Sequence, residues 1–348
     1  MASIGCLPLI AIWLLYATVI CVSFFLTRVL RRYALVRSLI DIPSDRSSHS
    51  MPTPRGGGVA IVLSFLLALP IFALSGILEW TGVYSFLGTG AWVAMVGFLD
   101  DHRHIAARWR LLAHFLAATW GVLFLGGLVP ISLFGMSIDL GWTGHILAVF
   151  YLVWMLNLYN FMDGIDGIAG AEALCTCLGA CLIYWLAGYD SLIWAPLLLV
   201  MAVSGFLYWN YPPARIFMGD AGSGFLGVTL GMLSLQAAWS APRLLWVWLI
   251  LLGVFIVDAT FTLMRRLFRG DKVYEAHRSH AYQFASRQLG HHLPVTLAVI
   301  GINLVWLLPI AICVGVLELD GLMGLTLAYA PLVFLAFRFR AGELEKPG

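Results

Sequence analysis

The chain has 348 residues, of which 61% are hydrophobic and only 11% charged, against about 25% charged in soluble domains. This excludes a soluble enzyme and leaves no polar stretch long enough to fold alone in water. The net charge of +2 is uninformative as a total, and the placement of the charges carries more.

Eleven apolar spans follow one another, near 8–29, 57–77, 82–99, 111–129, 145–161, 168–188, 191–209, 221–240, 243–264, 293–314 and 321–337. Most are close to the roughly 20 residues that a helix needs to cross a bilayer. The expected fold is an all-α polytopic membrane bundle of about 10–11 transmembrane helices, a single unit over 1–348. If successive spans alternate, nineteen of the 20 Lys and Arg residues fall on one side and only Arg243 opposite. The positive-inside rule makes the crowded side cytoplasmic, with the N-terminus outside and the C-terminus inside. The first span is not expected to be a cleaved signal. No basic residue precedes it, its apolar run is too long, and Arg28, Arg31 and Arg32 follow as a stop.

The first inner loop, 41–58, holds three prolines, a glycine triplet, Arg46, His49 and Arg55. It reads as an ordered, turn-rich segment whose glycine amides approach an anion while the arginines supply charge. The third span ends in Asp100-Asp101, two acids that repel unless a metal or an arginine stabilises them; Arg103, Arg108 and Arg110 follow. The outer loop 130–144 shows no chemistry.

The fifth span runs into Asn157-Leu-Tyr-Asn160-Phe-Met-Asp163-Gly-Ile-Asp166-Gly167. A centrally placed Asp costs roughly 2.5–3.5 kcal/mol on the insertion scale, so intramembrane acids default to functional sites. On an ideal helix each three-residue step falls about 60° short of a full turn. A break at Gly164 and Gly167 is therefore expected, turning all four polar groups into one pocket. Glu172, one turn into the sixth span, suits hydrogen bonding or catalysis.

The seventh span ends at Asn210, with Pro212, Pro213, Arg215 and Phe217 before Gly219-Asp220-Ala-Gly222-Ser223. Asp220 lies near a helix N-terminus, where it either caps the helix or holds a cation whose phosphate partner takes the free N–H groups. Asp258, in the ninth span, is either a partner for Arg265 or Arg266 or part of the site. The longest inner loop holds His277-Arg278-Ser-His280, and neutral imidazoles beside cations suit a dianionic phosphate. The six cysteines show no zinc spacing and read as packing residues. The C-terminal spans carry no motif.

Every polar cluster thus falls on one membrane face. Acids and bases together imply magnesium held by few carboxylates and by substrate phosphates, with arginine and histidine neutralising the remaining oxygens. Manganese is the expected substitute. Phosphoryl transfer demands mainly positioning and charge stabilisation, which this inventory supplies. A site at the lipid–water boundary suggests one water-soluble and one lipid substrate, and nothing calls for nucleic acid.

The segments Pro43 to Gly57, Asp100-Asp101, Asn157 to Gly167, Asn210 to Ser223 and His277-Arg-Ser-His280 occur in the order seen in the polyprenyl-phosphate N-acetylhexosamine-1-phosphate transferases. The chain resembles that superfamily over about 28–290, and its O-antigen-initiating branch more than the muramoyl-pentapeptide branch. The resemblance implies transfer of a sugar 1-phosphate from a UDP-N-acetylhexosamine, or a 6-deoxy form, to undecaprenyl phosphate in a bacterial inner membrane, with UMP released. It implies Asp220 and Asp101 as magnesium ligands, and Asp100 and Asp101 orienting or deprotonating the lipid phosphate. Asp163 and Asp166 shape the catalytic centre. Asn210 and Phe217 hold the nucleotide, Phe217 by stacking, near Asn157 and Asn160. His277, Arg278 and His280 meet phosphate, while Arg46, His49 and Arg55 line the nucleotide-sugar entrance. A homodimer is compatible with this but specified by no residue. Two departures stand out: His104 replaces the usual acid or lysine three residues after the acid pair, and Ser279 replaces a middle histidine. The rival reading is a transporter using the same acids for cation coupling. Transporters place such residues near the midplane and show repeated halves, whereas here they sit at one rim without a repeat.

Overall fold

The computed structural model describes residues 9–42, 51–103, 105–133, 136–271 and 277–343. Each expected span is a helix or a pair of helices. The first eight are α1 (Leu9–Val36), α2 (Val59–Leu74), α3 (Trp80–His102), α4 (Ala107–Leu125), α5 (Gly141–Met162), α6 (Ile168–Ala187), α7 (Trp194–Asn210) and α8 (Asp220–Ser240). Then come α9 (Arg243–Leu251), α10 (Gly253–Arg269), α11 (Ala281–Leu289), α12 (His292–Ile302), α13 (Leu308–Gly315) and α14 (Gly321–Arg338). Among the described residues eight helices are long and apolar enough to cross a membrane, or nine if α9 and α10 count as one span. The protein is a multi-pass membrane protein.

Two expected spans are not single regular helices. The ninth breaks at Leu252, and α9 and α10 meet at 74°. Gly253 starts α10 against α14, where an added Cβ would lie 3.1 Å from Tyr329 and 3.2 Å from Leu332. The tenth passes from α12 through a π-helical turn, Asn303–Leu307, into α13. Two short antiparallel pairs complete the fold: β1 (Ile40–Asp41) with β2 (Thr53–Pro54), and β3 (Ile131–Leu133) with β4 (Met136–Ile138).

The bundle is built around α8. In its most apolar window 94% of residues are buried, against 28% in α1, so α8 is the axis and α1 meets lipid. Small residues make this possible, because they let membrane helices approach backbone to backbone. At Gly227 an added Cβ would lie 2.4 Å from the Met155 carbonyl of α5. The N-terminus of α8 therefore arrives at the rim where α3, α5, α7 and α10 end, and there the polar residues gather.

Candidate active site

The site begins with a backbone contact. A Cβ on Gly97 of α3 would lie 2.6 Å from the Asp220 carbonyl carbon and the Ala221 nitrogen, so only glycine lets α3 abut the first turn of α8. One turn further on α3, Asp101 accepts the N–H groups of Asp220 (3.2 Å) and Ala221 (3.5 Å). It caps α8 from outside, satisfying amides that have no partner within their own helix.

Two arginines cross-tie the acids. Arg55 Nε lies 3.0 Å from Asp101 Oδ1, and the same guanidinium pairs with Asp220. Arg110 pairs with Asp100 and stands 3.8 Å from Asp220 Oδ2. Asp100 also accepts the Ile105 N–H at 2.9 Å. Burial works to lower the Arg55 pKa, but Asp220 and Asp101 outweigh it and hold the guanidinium charged well beyond its ordinary range.

The chain does break after α5. Met162 ends the helix, and Gly167, at φ 74°, precedes α6 in a conformation that favours glycine. The break separates the four polar groups rather than collecting them. Asn157 bonds back to the Val153 carbonyl (2.7 Å), and Asn160 donates to Ser223 Oγ (3.2 Å) beside Asp220. Asp163 lies in the field of Arg55, Asp220 and Asp101, and its carboxyl has no hydrogen-bond or ion-pair partner among the described residues. Burial first, then the neighbouring Asp220, Asp101 and Asp166, push its carboxyl well above the usual range against the opposing pull of Arg55.

Asp166 faces the other way. Its carboxylate takes the Ala214 N–H at 2.9 Å and lies 3.0 Å from His292 Nδ1. Beside it the buried Asn210 accepts from the Gly167 N–H (3.1 Å) and donates to the Ile216 carbonyl (3.0 Å). The Asn210 amide is therefore spent on backbone. It fixes the shape of the loop carrying Phe217 and does not reach outward. That loop pairs with the first inner loop: Phe217 N–H bonds Pro54 O (2.8 Å), Gly57 N–H bonds Phe217 O (2.9 Å) and Gly58 N–H bonds Met218 O (2.8 Å). This corrects one expectation. The Gly57 and Gly58 amides are taken by protein carbonyls and not held open for an anion. Arg46, His49 and His104 lie outside the described residues.

The histidine segment is held by Asp258, which is neither an arginine partner nor an open site residue. Its carboxylate accepts the N–H groups of Ala281 (3.0 Å) and Tyr282 (3.0 Å) and lies 3.3 Å from His280 Nδ1, capping α11 from α10. His280 is buried, and its ring stacks at 4.9 Å on His277. Burial, then His280 and Arg266, push His277 down to about 3, so it is neutral at pH 7. Arg278 gives its carbonyl to Arg287 (3.0 Å). Tyr282 donates to Phe161 O at 2.9 Å, docking α11 on the end of α5. Sequence reasoning missed His292 and the capping role of Asp258, and saw Arg110 only as one of three candidate cations.

Comparison with known proteins now decides the family. Residues 83–238 match the sequence profile described as glycosyl transferase family 4. A probable undecaprenyl-phosphate N-acetylglucosaminyl 1-phosphate transferase of Bacillus subtilis (strain 168) is 30% identical over 280 residues, spanning 78% of this chain and 76% of the relative. The chain belongs to glycosyl transferase family 4. Other relatives in the family carry related names. An undecaprenyl-phosphate alpha-N-acetylglucosaminyl 1-phosphate transferase of Thermotoga maritima is 28% identical over 282 residues, 77% of this chain and 80% of that one. A phospho-N-acetylmuramoyl-pentapeptide-transferase of Kocuria rhizophila is 29% identical over 307 residues, 72% of this chain and 80% of that one. The family match runs from α3 to α8 and takes in Asp100, Asp101, Asp163 and Asp220.

Magnesium is the ion that the sequence leads one to expect at these acids. Among the described residues no three His, Cys, Asp or Glu side chains stand at ligating distances for a metal. The described residues thus form no closed protein cage, and magnesium is ordinarily held by one or two carboxylates together with phosphates and water. Asp101 and Asp220, bridged by Arg55, provide such a pair. With all four acids ionised, Arg55 and Arg110 leave two negative charges uncompensated, the charge of one divalent ion. The residues fit.

Proposed function

We propose that this protein transfers N-acetylhexosamine 1-phosphate from a UDP-sugar to undecaprenyl phosphate, releasing UMP, in the initiating step of a cell-envelope polysaccharide such as O-antigen. The observation that carries the reading is the gathering of Asp100, Asp101, Asp163 and Asp220 around Arg55 and Arg110 at one rim of the bundle. The names of the relatives favour N-acetylglucosamine as the sugar. The basic residues crowd the same rim, so we place it at the cytoplasmic face.

An oxygen of the lipid phosphate attacks the β-phosphorus of the donor. The bond from that phosphorus to the bridging oxygen breaks, and UMP leaves with the bridging oxygen. Asp220 and Asp101 would hold magnesium, which when bound neutralises the diphosphate as charge moves to the leaving group. Arg55 keeps its charge throughout and stands beside that pair to meet phosphate oxygens. Asp163 is the acid whose carboxyl has no protein partner among the described residues, and so the one free to orient the lipid phosphate or take its proton. Asp166 and Asn210 shape the loop that presents Phe217 to the uracil. His277, neutral, suits contact with phosphate at the far side.

The test is purified protein with UDP-N-acetylglucosamine, undecaprenyl phosphate and magnesium, with UMP quantified. UMP that requires both substrates and the metal supports the proposal. UMP formed equally without the lipid, or none from any UDP-N-acetylhexosamine, refutes it.

A further inference from the structure

Away from the acid cluster, one carboxylate is buried with no cation acting on it. Glu172 of α6 is 0% exposed and Asn303, at the π-helical turn, is 2% exposed. Asn303 Nδ2 donates to Glu172 Oε2 at 2.6 Å. The partner atoms of the same two groups, Glu172 Oε1 and Asn303 Oδ1, are both buried and both lack a hydrogen-bond donor among the described residues. Besides Asn303, the Phe255 N–H at the start of α10 acts on the Glu172 carboxyl without making a hydrogen bond to Oε1. Its titratable neighbours are Tyr159 and Cys175, which bring no positive charge.

Two acceptors left over from one hydrogen-bonded pair pose a specific problem, since each buried orphan costs the desolvation of a polar group. A single hydrogen atom removes both. Placed on Oε1 and donated to Oδ1, it closes a carboxylic acid–amide ring, with the second amide hydrogen of Asn303 kept by the Val299 carbonyl at 3.1 Å. An ionised Glu172 would instead carry an unpaired charge in an apolar interior, the most expensive arrangement available. We propose that Glu172 is a permanently protonated residue, joined to Asn303 as a neutral acid–amide pair that clasps α6 to the π-turn.

The π-turn supports this reading, because widening the helix by one residue is a recurrent way of re-aiming a side chain at a particular site. It also gives the clasp a purpose. α12 already holds the Asp163–Gly167 break from its other end, through His292 on the Asp166 carboxylate (3.0 Å) and Thr296 Oγ1 on the Asp166 carbonyl (2.9 Å). Glu172–Asn303 adds a tie between α6, which follows that break, and the π-turn, which follows α12. The Phe255 N–H brings the first turn of α10 to the same carboxyl, close to the 74° bend. The inference stands on packing and hydrogen bonding alone, whatever substrate the protein takes.

The experiment is infrared difference spectroscopy on the whole protein in detergent or lipid, wild type against Glu172→Gln, with glutamate labelled with carbon-13. The substituted side chain offers an amide N–H where the acid offers an O–H, so it rebuilds the ring without a titratable proton. The expected result is a label-sensitive C=O stretch of an un-ionised carboxylic acid in the wild type at pH 7 and above, absent from the variant. Glu172→Gln should melt within a degree or two of the wild type, whereas Asn303→Leu, leaving the acid without its partner, should melt several degrees lower. Absence of the acid band from the wild type at pH 7 overturns the proposal, and needs no variant to fold. So does a loss of melting temperature in Glu172→Gln as large as in Glu172→Ala. A sodium-dependent stabilisation of the wild type, measured against choline and missing in Glu172→Gln, overturns it in favour of a bound cation.

Discussion

Asp101 accepts the backbone N–H of Asp220 at 3.2 Å, so the carboxylate that ends one helix fixes the position of the acid that begins another. The contact lies where Gly97 allows α3 to touch α8, and Arg55 locks both side chains from the loop above. Backbone contact, cap and ion pair thus form one unit, and each part can be removed separately.

Removing the Asp220 charge is the most direct of these. Asp220→Asn should lower UMP release by about 100-fold or more at saturating magnesium, the scale seen when one electrostatic stabiliser is lost from a preorganised site. Arg243→Ala should stay within about twofold of the wild type, because Arg243 pairs with Glu318 away from the acid cluster. Equal rates in Asp220→Asn and the wild type would remove Asp220 from the reaction.

Gly97→Ala tests the backbone contact. Its Cβ would lie 2.6 Å from the Asp220 main chain, so the two helices must part. Overpacking of this kind costs about 1–3 kcal/mol. A lower melting temperature should accompany a loss of activity out of proportion to it, since the displaced group is the acid itself.

The half-buried Asp163 makes stability depend on pH in the unusual direction. Its carboxyl is raised in the folded protein by burial first, while in the unfolded chain it titrates near about 3.9. The folded state therefore binds more protons above that value, and stability falls as pH rises towards the folded value. Without divalent ions, thermal unfolding of the wild type should lose stability as pH rises above the unfolded value of about 3.9, and Asp163→Asn should remove that slope. Added magnesium should flatten the wild-type slope and release protons.

His277 contributes the opposite sign. Burial holds it at about 3 in the fold, against about 6.5 when unfolded. The unfolded chain binds the extra proton between those values, so this contribution to stability is complete above the unfolded value and is lost as pH falls through the window. Replacing His277 by Asn should make the melting temperature less sensitive to pH between about 4 and 6.5.

His292 should act on binding rather than on turnover. It sits 3.0 Å from Asp166, which in turn holds the Ala214 N–H of the loop carrying Phe217. Losing a buried hydrogen bond of about 1–1.5 kcal/mol should raise the KM for the UDP-sugar by about tenfold in His292→Phe. A fall in kcat at unchanged KM would place His292 in the chemistry instead.

The span count and the acids were legible because both follow from the cost of polarity in lipid. Eleven apolar runs had to be helices, and Asp100, Asp163 and Asp220 could not be incidental inside or beside them. Side-chain direction was not legible. Asn210 and Asp166 stand in motifs that suggest outward contact, yet both turn inward to backbone, because the amides of Gly167 and Ala214 needed acceptors. His292 escaped notice because it stands at the edge of an apolar span, 293–314, that holds no charged residue. The bend at Leu252 was equally silent, since glycine in an apolar run is ordinary for a membrane helix. Asp258 required knowing that α11 returns to it across the loop, which no local spacing encodes.

The burial of α8 has a consequence for how the enzyme senses its surroundings. A change in bilayer thickness acts through tilt and stretch of the helices that touch acyl chains, most of all α1, α12 to α13 and α14, each only 28% buried over its most apolar stretch. Asp220 instead opens a helix that is 94% shielded, while Asp100 and Asp101 end α3, 50% buried, and Asp163 follows α5, 44% buried. Shorter or longer lipids should therefore disturb the outer helices first and move Asp220, with Asp101 fastened to its backbone, the least.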